Sequence, residues 1–232
     1  MIVSLVVCAL LAAETEEKPA APEPITAYHL TNYEGWDVYV NKRLLREEKE
    51  LGDQATRLLQ DKLREICRLV PRRPLTELQK APIWLEVDDD KFDPCACYHP
   101  SADWLRKNGF LDKKAKSVEI SSAQKFIDWS KEQPFMLLHE LAHSYHDRVF
   151  GYDDAAIKAA YDRAKQSGQY EKVLRYNGKE ERHYALQNPM EYFAEGTEAY
   201  FGTNDYYPFV NAELKRHDPQ LHKLLGEIWR DE

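Results

Sequence analysis

The succession of hydropathy patterns along this 232-residue chain predicts an α+β fold, a strand, a helix and a few more strands followed by a helix bearing two histidines and a second, glutamate-bearing helix. Three observations lead there. Short runs alternate apolar with polar residues, a strongly apolar helix opens at Pro134, and Asn188-Pro189-Met190-Glu191 joins an N-cap, a proline in the first turn and an early acid.

In chain order, Trp36 to Asn41 (WDVYVN) reads as a half-buried strand. From about Leu44 to Leu69, Leu51, Ala55, Leu58, Leu59, Leu63 and Ile66 recur at helical spacing, and the prolines at 71 and 74 close that helix. Ile83 to Val87 is a second strand. Ser101 caps a short helix through Trp104 and Leu105 that Gly109 ends, and Val118 to Ser121 is a third strand. The apolar helix runs from Phe135 to about Val149 and stops at Gly151. A polar helix follows from about Asp154 to Gln166, then a segment turned by Asn177-Gly178, a strong hairpin signal. The helix capped by Asn188 extends to about Gly202, and a C-terminal helix from Val210 to Trp229 is interrupted near Asp218-Pro219.

The 43% apolar content suits one sizeable core, so residues 26–232 are expected to form a single domain. The 40 acidic and 32 basic side chains are dispersed along the chain, which argues against a nucleic-acid partner. Residues 1–13 read as a signal-peptide-like segment, too short to span a membrane, which would need roughly 17–25 residues. A secreted, periplasmic or cell-envelope location follows from that reading, with no stable membrane insertion. No Lys or Arg precedes the apolar run, so a disordered apolar terminus is the other reading. Residues 14–25, rich in Glu, Pro and Ala, form a flexible linker. In an exported chain, Cys67, Cys95 and Cys97 suggest one disulfide and one free thiol.

His139-Glu140-Leu141-Ala142-His143 is an HExxH pattern. Residues four apart on a helix point the same way, so both imidazoles can share one ion, expected to be a single Zn2+. Glu140 lies about 100° around the helix, where a carboxylate can accept a proton from the ion's water. Leu137, Leu138, Leu141 and Ala142 mark the helix as buried, and uncompensated histidines there would be costly. A catalytic zinc site needs a third protein ligand. His146 lies about 10 Å along the axis from His139, too far, and reads better as a histidine bonded to nearby backbone or to Asp147. Val149 stands where a metzincin would require histidine. The downstream helix offers Glu191 and Glu195, four apart, with Glu198 continuing the stripe. Spacing permits either Glu191 with Glu195, or Glu195 with Glu198, as ligand and partner of a zinc histidine. Gly196 and Ala199 are small enough to let the two helices approach closely.

The HELAH helix followed by Tyr184-Ala185-Leu186-Gln187-Asn188-Pro189-Met190-Glu191-Tyr192-Phe193-Ala194-Glu195 resembles the catalytic domain of anthrax lethal factor and its relatives, including secreted bacterial Pro-Pro endopeptidases, a branch of the gluzincins in which Y-A-x-x-N-x-x-E-[FY]-F-A-E follows HExxH. The resemblance covers about Pro134 to Phe201. It implies a zincin-like fold, with a small mixed sheet over the HExxH helix, and a zinc metalloendopeptidase, with His139, His143 and Glu191 on the metal, Glu140 as base, Glu195 steadying a ligand, and Tyr184 donating to the oxyanion. Glu198 receives no role from it. A strand tyrosine packed in the core is the plain alternative for Tyr184. The expected partner is a peptide or protein substrate, and the expected state a monomer.

A second functional class is a catalytically silent, zinc-containing binding module of the cell envelope, although such a module has no chemical need for Glu140. Two further features remain open. Cys95, Cys97 and His99 alternate and would share one face of an extended segment, a weak second metal candidate beside disulfide formation or packing. Asn204 to Phe209 is unusually aromatic for a loop, suiting either a pocket wall or an apolar plug.

Overall fold

The computed structural model describes residues 22–88 and 95–231. The signal-peptide-like segment and most of the linker lie outside the described residues.

The chain enters through a hairpin of β1 (Tyr28–Tyr33) and β2 (Trp36–Asn41). The turn holds Glu34 at φ 53° and Gly35 at φ 96°, the double positive φ that a tight two-residue hairpin requires. Strand β1 was not expected from the sequence. Only Tyr28 of its residues is buried, while His29, Leu30 and Asn32 are exposed, so it shows no apolar alternation. The long predicted helix is broken into α1 (Lys42–Arg46), capped by the Asn41 side chain, and α2 (Lys49–Leu69). Beyond Pro71 the chain re-forms a helix, α3 (Arg72–Leu78), rather than a loop.

Next come β3 (Ile83–Leu85), β4 (Ala96–Tyr98), α4 (Ala102–Lys107) and β5 (Val118–Ile120). The five-stranded sheet is ordered β1-β2-β3-β5-β4 and is mixed, with β2, β3 and β5 parallel and both edge strands antiparallel to their neighbours. A short helix not foreseen from the sequence, α5 (Ala123–Trp129), follows under a Ser122 cap. Only Ala123 and Phe126 of α5 are buried, too few to set up a period. Helix α6 (Met136–Tyr145) widens into a π turn over His146–Phe150 and ends at Gly151, φ 75°.

Helix α7 (Ala155–Ser167) leads to the hairpin β6 (Val173–Leu174) and β7 (Glu180–Glu181) around Asn177-Gly178. A 3-10 turn at Tyr184–Leu186 precedes α8 (Pro189–Phe201), whose Asn188 cap accepts from the backbone of Met190 and Glu191 as expected. The C-terminal helix is split at Asp218 into α9 (Asn211–His217) and α10 (Pro219–Ile228).

Val38, Val40, Ile83, Leu85, Val118 and Ile120 share one sheet face and join the main apolar core with α2, α6 and α8. Helix α6 lies along β4 and β5 on one side and α8 on the other. The opposite sheet face carries Trp84 stacked on Tyr39 at 4.1 Å and a buried charged cluster. There Lys114 pairs with Glu86 at 2.8 Å and with Glu119, while His99 bonds Glu119 at 2.6 Å. Among the described residues no helix is long and apolar enough to cross a membrane.

The three described cysteines are free thiols, against the expectation of a disulfide. Cys67 on α2 sits beside the β1–β2 turn, 3.8 Å from the Glu34 carbonyl, whereas Cys97 sits on the far edge strand beside His99. Opposite edges of the sheet keep the two apart.

Candidate metal centre

Helices α6 and α8 bring their acids and histidines together at the floor of a cavity of about 730 Å³. His139 and His143, one turn apart on α6, turn their Nε2 atoms toward each other at 3.1 Å. Glu191, in the first turn of α8, places Oε2 3.0 Å from His139 Nε2 and 3.2 Å from His143 Nε2. The proline and the Asn188 cap fix that first turn, and so the depth at which Glu191 enters.

Two neutral imidazole nitrogens facing each other at that distance repel through their lone pairs unless a proton or a cation lies between them. Four-coordinate zinc with ligands at about 2.0–2.2 Å would separate adjacent ligand atoms by about 3.3–3.6 Å, so shifts of a few tenths of an ångström would seat an ion. The donor set can therefore hold a metal ion. Burial holds the His139 pKa down, but its bonds to Glu191 and Glu198 raise it well above the ordinary value on balance. Burial pushes Glu191 up, yet hydrogen bonds from both imidazoles carry it well below the usual carboxylate range.

Glu140 is beside this group rather than in it, accepting from the Tyr98 backbone N–H of β4 at 2.8 Å. Desolvation raises its pKa, only partly offset by the charges of His143 and His139. Tyr184 lines the same cavity from the 3-10 turn and is about half exposed, so its hydroxyl is not committed to the core. Its pKa is raised by desolvation first and by Glu191 next.

His139, His143, Glu140, Glu191 and Tyr184 thus meet in one place, while Glu195 lies to one side. Its Oε1 is 3.6 Å from His139 Nδ1, whereas Glu198 Oε1 is at 2.8 Å and also accepts from Gln133 at 2.9 Å. Burial, then the charge of Glu198, raises the Glu195 pKa well above the ordinary carboxyl value.

His146 is not near enough to ligate. Nor is it bonded as expected, because both ring nitrogens are buried without a partner and the ring packs edge-on to Tyr152 and Phe193. The π turn moves it off the regular helical path, and desolvation pulls its pKa to about 4. His99 is engaged with Glu119 rather than with a Cys95–Cys97 metal group. Gly196 makes its close approach to Leu221 and Leu225 of α10 rather than to α6, and the tight contact on the α6 side is Gly202 against Phe135.

Of the remaining walls, sequence singled out only the aromatic loop at Asp205 and Tyr206, and not Lys125, Trp129, Gln133 or Arg175. Lys125 and Trp129, one turn apart on α5, form one side with Gln133, and Arg175, Asp205 and Tyr206 form the other. The i, i+4 pair on α5 was a usable signal once that helix was recognised. The aromatic loop serves both expected purposes. Asp205 and Tyr206 face the cavity, while Tyr207 packs edge-on to His217. No family model, curated protein or solved structure matches the chain.

Proposed function

We propose that the chain is a zinc-dependent endopeptidase, a lethal-factor-like gluzincin with a zincin-like fold. The observation that carries the reading is the convergence of His139 Nε2, His143 Nε2 and Glu191 Oε2 within 3.0–3.2 Å of one another, with Glu140 on the adjoining wall of an open cavity. Three protein donors leave the fourth position free, as a catalytic site requires. When bound, zinc supplies Lewis acidity, polarising a carbonyl and lowering the pKa of a water in its open position to about 7.

The chain's own groups perform the proton work. Glu140, with a pKa raised by burial, takes the proton of the attacking water and returns it to the departing amine. Tyr184 lines the cavity with a half-exposed side chain, and its hydroxyl donates to the carbonyl oxygen as that atom gains negative charge. The apolar first thirteen residues favour an exported enzyme.

The test is metal analysis of the purified protein with cleavage-site profiling in a peptide library. One zinc per chain, chelator-sensitive cleavage, and loss of about 10²–10⁴-fold of the rate in Glu140→Gln with zinc retained are expected. Protein that binds zinc yet cleaves nothing in a broad library would instead support the silent binding module.

A further inference from the structure

We propose that Glu198, and not Glu195, is the residue that positions His139 for the metal, and that Glu195 holds the substrate wall through Asn204. The inference rests on the zinc reading above.

Glu191, Glu195 and Glu198 fall at i, i+4 and i+7, one stripe of α8 that faces α6. Helical spacing makes Glu195 the nearer neighbour of the ligand Glu191. The His139 ring, however, lies across the stripe, with Nε2 toward Glu191 and Nδ1 toward Glu198. A ligand imidazole keeps its metal-facing nitrogen unprotonated when the other nitrogen donates its proton to a fixed acceptor. The acceptor at hydrogen-bond distance is Glu198 Oε1, at 2.8 Å, and its side chain is fully buried. Gln133, in the turn leading into α6, donates to the same oxygen at 2.9 Å and fixes it from a second direction. At 3.6 Å from Nδ1, Glu195 Oε1 is outside good hydrogen-bond range.

The bonds of Glu195 run the other way. Asn204 Nδ2 donates to both its backbone carbonyl and its Oε2 at 2.8 Å. Asn204 Oδ1 in turn accepts from the Tyr206 backbone at 2.7 Å. Beyond them, Arg175 bonds Asp205 at 3.1 Å and lies 4.9 Å above the Tyr206 ring. Glu195 is thereby the inner anchor of the wall formed by Asp205, Tyr206 and Arg175.

The experiment measures zinc affinity by chelator competition, and the absorption bands of the cobalt-substituted protein, for wild type, Glu198→Ala, Glu198→Gln and Glu195→Gln. Glu198→Ala is expected to weaken zinc binding by about 10–100-fold and to shift the cobalt bands. Glu198→Gln keeps an acceptor oxygen and should recover part of the loss, which a merely structural role would not show. Glu195→Gln should keep zinc affinity within about threefold of wild type, below the range for losing such a bond, while raising KM for a cleaved peptide. Should Glu198→Ala not fold as apoprotein, Glu198→Gln against Glu195→Gln makes the same comparison. The inference is overturned if Glu195→Gln weakens zinc as much as the Glu198 variants do, or if the latter bind like wild type. A wild-type protein that binds no zinc would instead overturn the peptidase reading on which the inference stands.

Discussion

Replacing Lys114 by methionine tests how much the charged cluster on the outer sheet face contributes to stability. Lys114 is 3% exposed and provides the cation between Glu86, 5% exposed, and Glu119, 0% exposed. Glu86 also accepts from Tyr28 at 2.8 Å and Asn41 at 2.9 Å, and Glu119 is bonded to His99, the residue next to β4. Methionine keeps the volume but leaves two buried carboxylates without their cation, a loss of about 3–5 kcal/mol. For a chain of this size that lowers Tm by roughly 6–20 °C.

Urea unfolding followed by tryptophan fluorescence reads the effect, with Lys49→Met as control. Lys49 pairs with Asp53 at 2.8 Å on the exposed face of α2, where solvent screens the pair, so this variant should unfold close to wild type. The pH dependence adds a sign. Desolvation raises the Glu119 pKa, but His99 and Lys114 outweigh it and hold it below the ordinary value. Its contribution is therefore present above the unfolded carboxylate pKa and is lost as pH falls through the folded one. Desolvation pulls Lys114 down, but Glu119 and Glu86 raise it on balance, so its contribution persists at neutral pH and is lost as pH rises through its folded value. In Lys114→Met the buried carboxylates lack a cation and gain stability on protonation, so the gap to wild type should narrow as pH falls toward 4. A gap under about 1 kcal/mol at pH 7, or one that widens in acid, refutes the reasoning.

Two further predictions concern the cleft. Tyr184→Phe removes the hydroxyl without disturbing the metal ligands, so kcat should fall by about 10²–10³-fold while zinc affinity holds, and an unchanged kcat in steady-state assays would return Tyr184 to a packing role. Gly202→Ala would set a Cβ 2.2 Å from the Phe135 ring at the start of α6, costing about 1–3 kcal/mol in denaturant unfolding, and a loss below about 0.5 kcal/mol would show that Phe135 can move aside.

Features carried by a single helix were legible in advance. The four-residue step from His139 to His143, the Asn188 cap and the break at Asp218 all depend on local backbone geometry, and the structure reproduces them. The hairpin at Asn177-Gly178 was equally local. Elements that bury little were not legible. Strand β1 exists because β2 offers it a hydrogen-bonding edge, and α5 because Phe126 reaches the core across α2. The buried Lys114 cluster joins residues 20 to 58 positions apart through sheet pairing, a relation no local period records.

The sequence by itself determined that His139 and His143 share a helix face and that Glu191, Glu195 and Glu198 form one stripe, because both follow from 3.6 residues per turn. Only the tertiary structure decided which acid meets which nitrogen. That choice depends on how α8 crosses α6, where Gly202 lies tight against Phe135 at the start of α6. Side-chain reach across two packed helices is a property of their separation and angle, and neither is written in the spacing of residues along one of them.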